Sequence, residues 1–252
     1  MLATRIRQMG GVHWIVLFGF VLLAWILLWL MMVPADMRAL SDIYGPDFWT
    51  QLCAVGADGS GFFRLWLMWS LMAGAMMAPT AFPAFATYED LPAAAKPDGG
   101  FAALVAGYLM VWFGAAAFGA AAQIGLATAG LTDMFGVSVS TSFTAALLAA
   151  VGLYQFSTLK EACLAKCRMP VTFFMAHFAE GPFRMGLRLG AVCLGCCWAL
   201  MALAFVGGMQ SLAFMGVATV LMILEKLPDI GRYLTKPLGV ALIGASLAVL
   251  IL

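Results

Sequence analysis

The chain has 252 residues, 64% of them apolar and only 10% charged, and its mean hydropathy is +1.01. A soluble domain carries roughly 25% charged residues, so this chain has too little charge to wet a surface, which excludes a soluble enzyme and a disordered chain. Thirteen Lys and Arg nearly balance twelve Asp and Glu, which leaves no basic excess to hold a nucleic acid. A spanning helix takes ~20 mostly apolar residues, so the length accommodates several passes and little else. Composition thus predicts an all-α, polytopic transmembrane helical bundle, a single domain over residues 1–252 in contact with the lipid bilayer.

Seven spans are expected, with six as the alternative. The first, Val12–Val33, is longer than the ~7–15 residue apolar core of a signal peptide, and reads as a retained span. An outer loop over residues 34–63 follows, carrying Asp36, Asp42, Asp47 and Asp58. The second span is Arg64–Phe85, where Pro79 and Pro83 should kink the helix and free backbone carbonyls. Phe101–Ile124 and Thr141–Leu159 come next. A basic inner loop over residues 160–186 leads to the fifth span, Leu187–Val206. Gly207-Gly208 is almost the whole link to the sixth, Met209–Leu224, so those two should form a tight hairpin. Pro237–Leu252 is the last, and the final two spans are short. With the N-terminus inside, 11 of the 13 basic residues lie on inner segments, leaving Arg38 and Arg64 outside. The positive-inside rule therefore favours an N-in, C-out chain. Gly107 and Gly186-x3-Gly190 offer close helix contacts within a bundle or a homo-oligomer. Trp69-Ser-Leu-Met-Ala73 and Trp198-Ala-Leu-Met-Ala202 match across opposed spans, too briefly to establish an inverted repeat.

Five of the six cysteines fall within a short stretch, and Cys53 stands alone. Cys193-x-x-Cys196-Cys197 lies inside the fifth span. At 100° per residue the three sit near about 0°, 300° and 40°, on one helix face. Cys163-x3-Cys167 follows the fourth span, beside Lys160, Lys166 and Arg168, and shares a face if the helix continues. Cβ atoms at these spacings are about 5–6 Å apart, wider than a disulfide allows. Thiolates on one face suit a soft ion instead, although a pairing between the two clusters stays open. A third pattern, Met68-x3-Met72-x3-Met76-Met77, forms a stripe descending from the outer end. Thioethers are soft, neutral ligands for Cu(I), and also common core filler. His177, in the inner loop, is a further candidate ligand or proton sensor. Glu225-Lys226 is either a surface pair or places a carboxylate toward the thiols. No Ser/His/Asp order, phosphate loop or His-rich zinc motif is present, so no catalytic residue is assigned and enzymatic activity is not the expectation.

Met68-x3-Met72 with Ala-Met-Met-Ala-Pro79, Tyr154-Gln-Phe-Ser-Thr-Leu-Lys-Glu-Ala-Cys163-x3-Cys167-Arg-Met-Pro170, Gly190-x2-Cys193-x-Gly-Cys-Cys-Trp198-x-Leu-Met201 and Leu224-Glu-Lys226 occur together here. In them the chain resembles the predicted metal-binding integral membrane protein family whose members are often labelled copper chaperones. The resemblance runs from about Trp66 to Leu227. It departs at Ser157-Thr158-Leu159, where the family pattern has Thr-Pro-Leu. It implies metal, and copper in particular, with a metalloprotein or membrane-complex partner and a bacterial inner membrane location. Cys163, Cys167, Cys193, Cys196, Cys197, Met72, Met76, Met77 and His177 are the candidate metal ligands. Two other readings remain: a membrane thiol-disulfide oxidoreductase, which needs a pairing such as Cys163 with Cys193, and a structural subunit in which Cys and Met only pack.

Overall fold

The computed structural model describes residues 11–32, 59–92, 97–133, 135–209 and 211–251. Most of the expected outer loop, 34–63, lies outside them, and so does Cys53. The described residues are all-helical: α1 (Val12–Met32), α2 (Gly59–Glu89), α3 (Gly100–Thr128), α4 (Thr141–Tyr154), α5 (Thr158–Arg168), α6 (Pro170–His177), α7 (Pro182–Ala202), α8 (Ala204–Gly207), α9 (Leu212–Lys226) and α10 (Gly231–Ile251). Five of these helices are long and apolar enough to cross a membrane, or six if the bent α4–α5 pair makes one span. The expected count of seven takes α9 as a further span; its 15 residues make it ~22 Å long at 1.5 Å per residue, shorter than a ~30 Å hydrocarbon core.

Three boundaries differ from expectation for local reasons. The fourth segment is not continuous to Leu159: α4 and α5 meet at 58°. Ser157 is extended there and its side chain accepts from the Lys160 amide at 3.2 Å, so it caps a new helix. Thr158 is the first residue of α5, a position that accepts proline readily. Ser-Thr and the family's Thr-Pro therefore suit the same helix start. The expected inner loop over 160–186 is mostly helical too, made of α5, α6 and a short 3-10 turn at Phe178–Glu180. Finally, α10 begins at Gly231 and takes Pro237 into its interior. Thr235 Oγ1 donates to the Gly231 carbonyl at 3.0 Å in that first turn.

Helices α2 and α7 form the centre, with 72% and 61% of their most apolar stretches buried. They run antiparallel, since Trp69 packs on Phe205 at one end and Thr80 meets Cys193 toward the other. Between them α3 lies parallel to α7 and almost touches it. A Cβ at Gly186 would stand 2.1 Å from the Leu104 carbonyl oxygen, and one at Gly107 2.2 Å from that of Phe183. Only glycine allows this approach, as the spacing of small residues implied. Helix α1 is held to α2 by the consequence expected of Pro79. With no N–H at that position the Ala75 carbonyl is released, and Trp25 Nε1 donates to it at 3.0 Å. At its N-terminal end His13 and Trp14 both reach the Glu89 carboxylate. Helix α10 lies antiparallel on α4, with Ser246 Oγ donating to the Ala145 carbonyl at 2.8 Å.

Candidate metal centre

Helix α7 carries the three thiols that its periodicity places together. The Sγ atoms of Cys193, Cys196 and Cys197 all lie within 4.8 Å of one another, and Cys196 and Cys197 are 3.3 Å apart. Each residue is at most 1% exposed. Cys193 stands about 11 residues into the helix, roughly 16 Å from its start, so water reaches it from neither end of α7 directly.

The surrounding helices decide what each thiol meets. Cys167, on α5, comes to 4.0 Å from Cys196 Sγ. Cys163, one turn earlier, goes elsewhere: its Sγ lies against Gly195, 2.7 Å from where a Cβ would stand. Gly195 is about 200° around α7 from Cys193, so Cys163 packs on another side of that helix. All five described cysteines are free thiols. Tyr154 reinforces this second contact, its hydroxyl donating to the Gly195 carbonyl.

Cys193 has the richest polar surroundings. Lys226 Nζ donates to its Sγ at 2.9 Å, Tyr108 Oη lies at 3.1 Å and Thr80 Oγ1 at 4.0 Å. The Met77 carbonyl accepts from both Thr80 Oγ1 and Tyr108 Oη, each at 2.8 Å. Tyr108 has one hydroxyl proton, and either atom of its contact with Cys193 can be the donor. Lys226 also donates to Thr80. Residues from α2, α3, α7 and α9 thus converge on one sulfur. Sequence patterning missed Lys226, Tyr108 and Thr80. One signal was present for Lys226, which follows the buried Met222 by one turn on α9.

The expectation for Glu225-Lys226 is corrected here: the ammonium, not the carboxylate, faces the thiols. Glu225 turns instead to Lys160, with Nζ and Oε2 2.8 Å apart and both side chains at most 1% exposed. Arg168 adds Nε and Nη2 to the Glu225 carbonyl at 3.0 and 2.8 Å. A buried carboxylate requires a partner of this kind, and neighbouring residues on a helix point about 100° apart. Lys160 takes one and Cys193 the other.

The methionines are buried, at 1% for Met72, 2% for Met76 and 0% for Met77. Thr80, at 5%, is one turn beyond Met76, so the stripe continues along α2 into the residue that meets Cys193. His177 lies outside this cluster. Its Nδ1 is 3.1 Å from Glu180 Oε1, and its ring meets Phe173 edge-on. Arg188 Nε donates to the other Glu180 oxygen at 2.5 Å. These bonds, Arg188's above all, hold the Glu180 carboxyl below its usual range.

A buried trio of sulfur donors this close together is compatible with a soft metal ion. Residues 66–249 match the family model described as PpoB2, copper chaperone, and the chain belongs to that family. No curated protein and no solved structure matches it.

Proposed function

We propose that this chain is an integral membrane protein that binds Cu(I) at Cys193, Cys196 and Cys197 and receives or hands over the ion for metalloenzyme assembly. The observation that carries this reading is the buried cluster of three Sγ atoms within 4.8 Å. Thiolate sulfur in a dry site selects a soft, monovalent ion over hard cations. Charge agrees as well: two thiolates and one Cu(I) leave a single negative charge, and Lys226 stands 2.9 Å from Cys193 to offset it. Membership of a family described as copper chaperone points the same way. Cys167 supplements the trio through Cys196, whereas Cys163 serves packing against Gly195. The redox alternative needs Cys163 to reach Cys193, whereas its Sγ lies against Gly195.

Long apolar helices with open apolar faces, such as Val12, Ile15 and Val16 on α1 and Val240 and Leu247 on α10, favour a bilayer setting. The basic residues favour an N-in orientation, the family points to a bacterial inner membrane, and the thiols lie near the middle of α7. In this reading Met68, Met72 and Met76 form a neutral path down α2 that ends at Thr80 beside Cys193. Metal content per purified chain tests the proposal. The wild type should carry about one Cu(I), Cys196→Ser with Cys197→Ser should carry none, and Cys163→Ser should match the wild type. Unchanged copper in the double variant would refute it.

A further inference from the structure

A pocket of about 630 Å³ opens where the α4–α5 elbow faces the start of α10, apart from the thiols. Its size is that of a small-molecule site. Gln155, Ser157, Thr158, Arg168, Arg232 and Lys236 line it. Gln155 is 3% exposed, and neither its amide nitrogen nor its amide oxygen has a hydrogen-bond partner. A buried amide left in that state is costly, and Gln155 belongs to the lining of this pocket. Arg232 and Lys236 are one turn apart on α10 and exposed, so their charges share a face. Arg168 commits Nε and Nη2 to the Glu225 carbonyl, leaving its Nη1 edge toward Glu161 at 3.8 Å. Three cations thus oppose one carboxylate. The 11-residue α5 adds its N-terminus. Ser157 caps the Lys160 amide, and the amides ahead of it have no partner within the helix.

From these features we infer that the pocket is a binding site for a phosphate group, carried by the headgroup of an anionic phospholipid. Arginine forks and helix N-terminal amides both match phosphate oxygens, and the Gln155 amide donates to another. The lipid source follows from the apolar side chains at the pocket, Phe156 and Met169, which are 47% and 55% exposed. Such apolar side chains beside a cationic pocket suit acyl chains beside a headgroup. Basic pockets between membrane helices take anionic headgroups in the same way.

The test is native mass spectrometry of the detergent-solubilised chain, equilibrated with equal phosphatidylglycerol and phosphatidylcholine. The wild type should retain phosphatidylglycerol in preference. Arg232→Gln with Lys236→Gln, both at exposed positions, should cut that preference roughly fivefold per cation removed. Gln155→Leu should lose retention while melting no lower than the wild type, because no protein partner is lost. Arg184→Gln, an exposed cation outside the pocket, should change nothing. Added inorganic phosphate separates the sources: failure to displace the lipid supports the headgroup, and full displacement overturns the lipid assignment in favour of the free ion. Equal retention of the two lipids by the wild type, or equal loss in Arg184→Gln and the α10 pair, would overturn the site altogether. Copper content is independent of all these arms.

Discussion

Replacing Gly186 by Ala tests the link between helix packing and the thiol site. The new Cβ would lie 2.1 Å from the Leu104 carbonyl oxygen and 2.9 Å from its carbon. Relaxing the first contact to an ordinary 3.4 Å moves the helices apart by about 1.3 Å (3.4 minus 2.1). The obstacle is backbone, so no side-chain rotation relieves it. Overpacking of this kind costs ~1–3 kcal/mol, and the upper end applies when the backbone must move. Against this, Gly→Ala within a helix gains up to ~1 kcal/mol, which leaves a net loss of about 2 kcal/mol. Gly114→Ala is the control, because a Cβ there meets nothing within 4 Å; it should gain ~0.5–1 kcal/mol. The same displacement reaches the metal centre. Tyr108 is one turn beyond Leu104 on α3, and its hydroxyl is 3.1 Å from Cys193 Sγ. A separation of about 1.3 Å along that contact breaks it. Denaturant titration in mixed micelles should rank Gly114→Ala above the wild type and Gly186→Ala below, with weaker Cu(I) binding only in the latter. Equal stability and equal copper affinity in the two variants would refute the close-packing account.

Lys160→Met removes one partner of a fully buried pair and should destabilise by ~3–5 kcal/mol; adding Glu225→Leu should restore most of that, which the same titration reads. Met72→Leu with Met76→Leu conserves volume and should cost under ~1.5 kcal/mol for each swap, while slowing copper loading from the outer side in a reconstituted vesicle; an unchanged loading rate would make the stripe core packing alone. Glu180 is a pH-sensitive contact outside the spans. Its carboxyl is held below the usual range by Arg188 first and then His177, so its contribution is present above the unfolded carboxylate value of ~4.3 and is lost as pH falls through the lower folded one. Hydrogen exchange of residues 178–188 should accelerate across that acid window in the wild type, and Arg188→Gln should shift the onset upward.

Much of the site was legible from one-dimensional pattern, because a helix fixes which residues share a face. The spacing of Cys193, Cys196 and Cys197 has a single helical solution, and the structure brings those sulfurs together as that solution requires. Pro79 likewise announced a released carbonyl, and Gly107 with Gly186 announced a close crossing. Each of these depends on backbone geometry within one element. Hydropathy marked the apolar helices equally well, since burial in lipid or core demands long uncharged runs.

What the sequence by itself left undecided was every relation between elements. Cys163 and Cys167 look equivalent in their motif, yet one turn apart on α5 they meet α7 at different residues, Cys167 near Cys196 and Cys163 against Gly195. Glu225 and Lys226 are adjacent and oppositely charged, so they read as a pair; only the positions of Lys160 and Cys193 divide them. Tyr108 and Thr80 carry no motif, and they join the site because α2 and α3 pack where Cys193 emerges. The physical reason is one of range. Periodicity acts over a few residues of one helix, whereas a buried charge or thiol is satisfied by whichever helix lies across from it, and that is decided by the packing of the whole bundle.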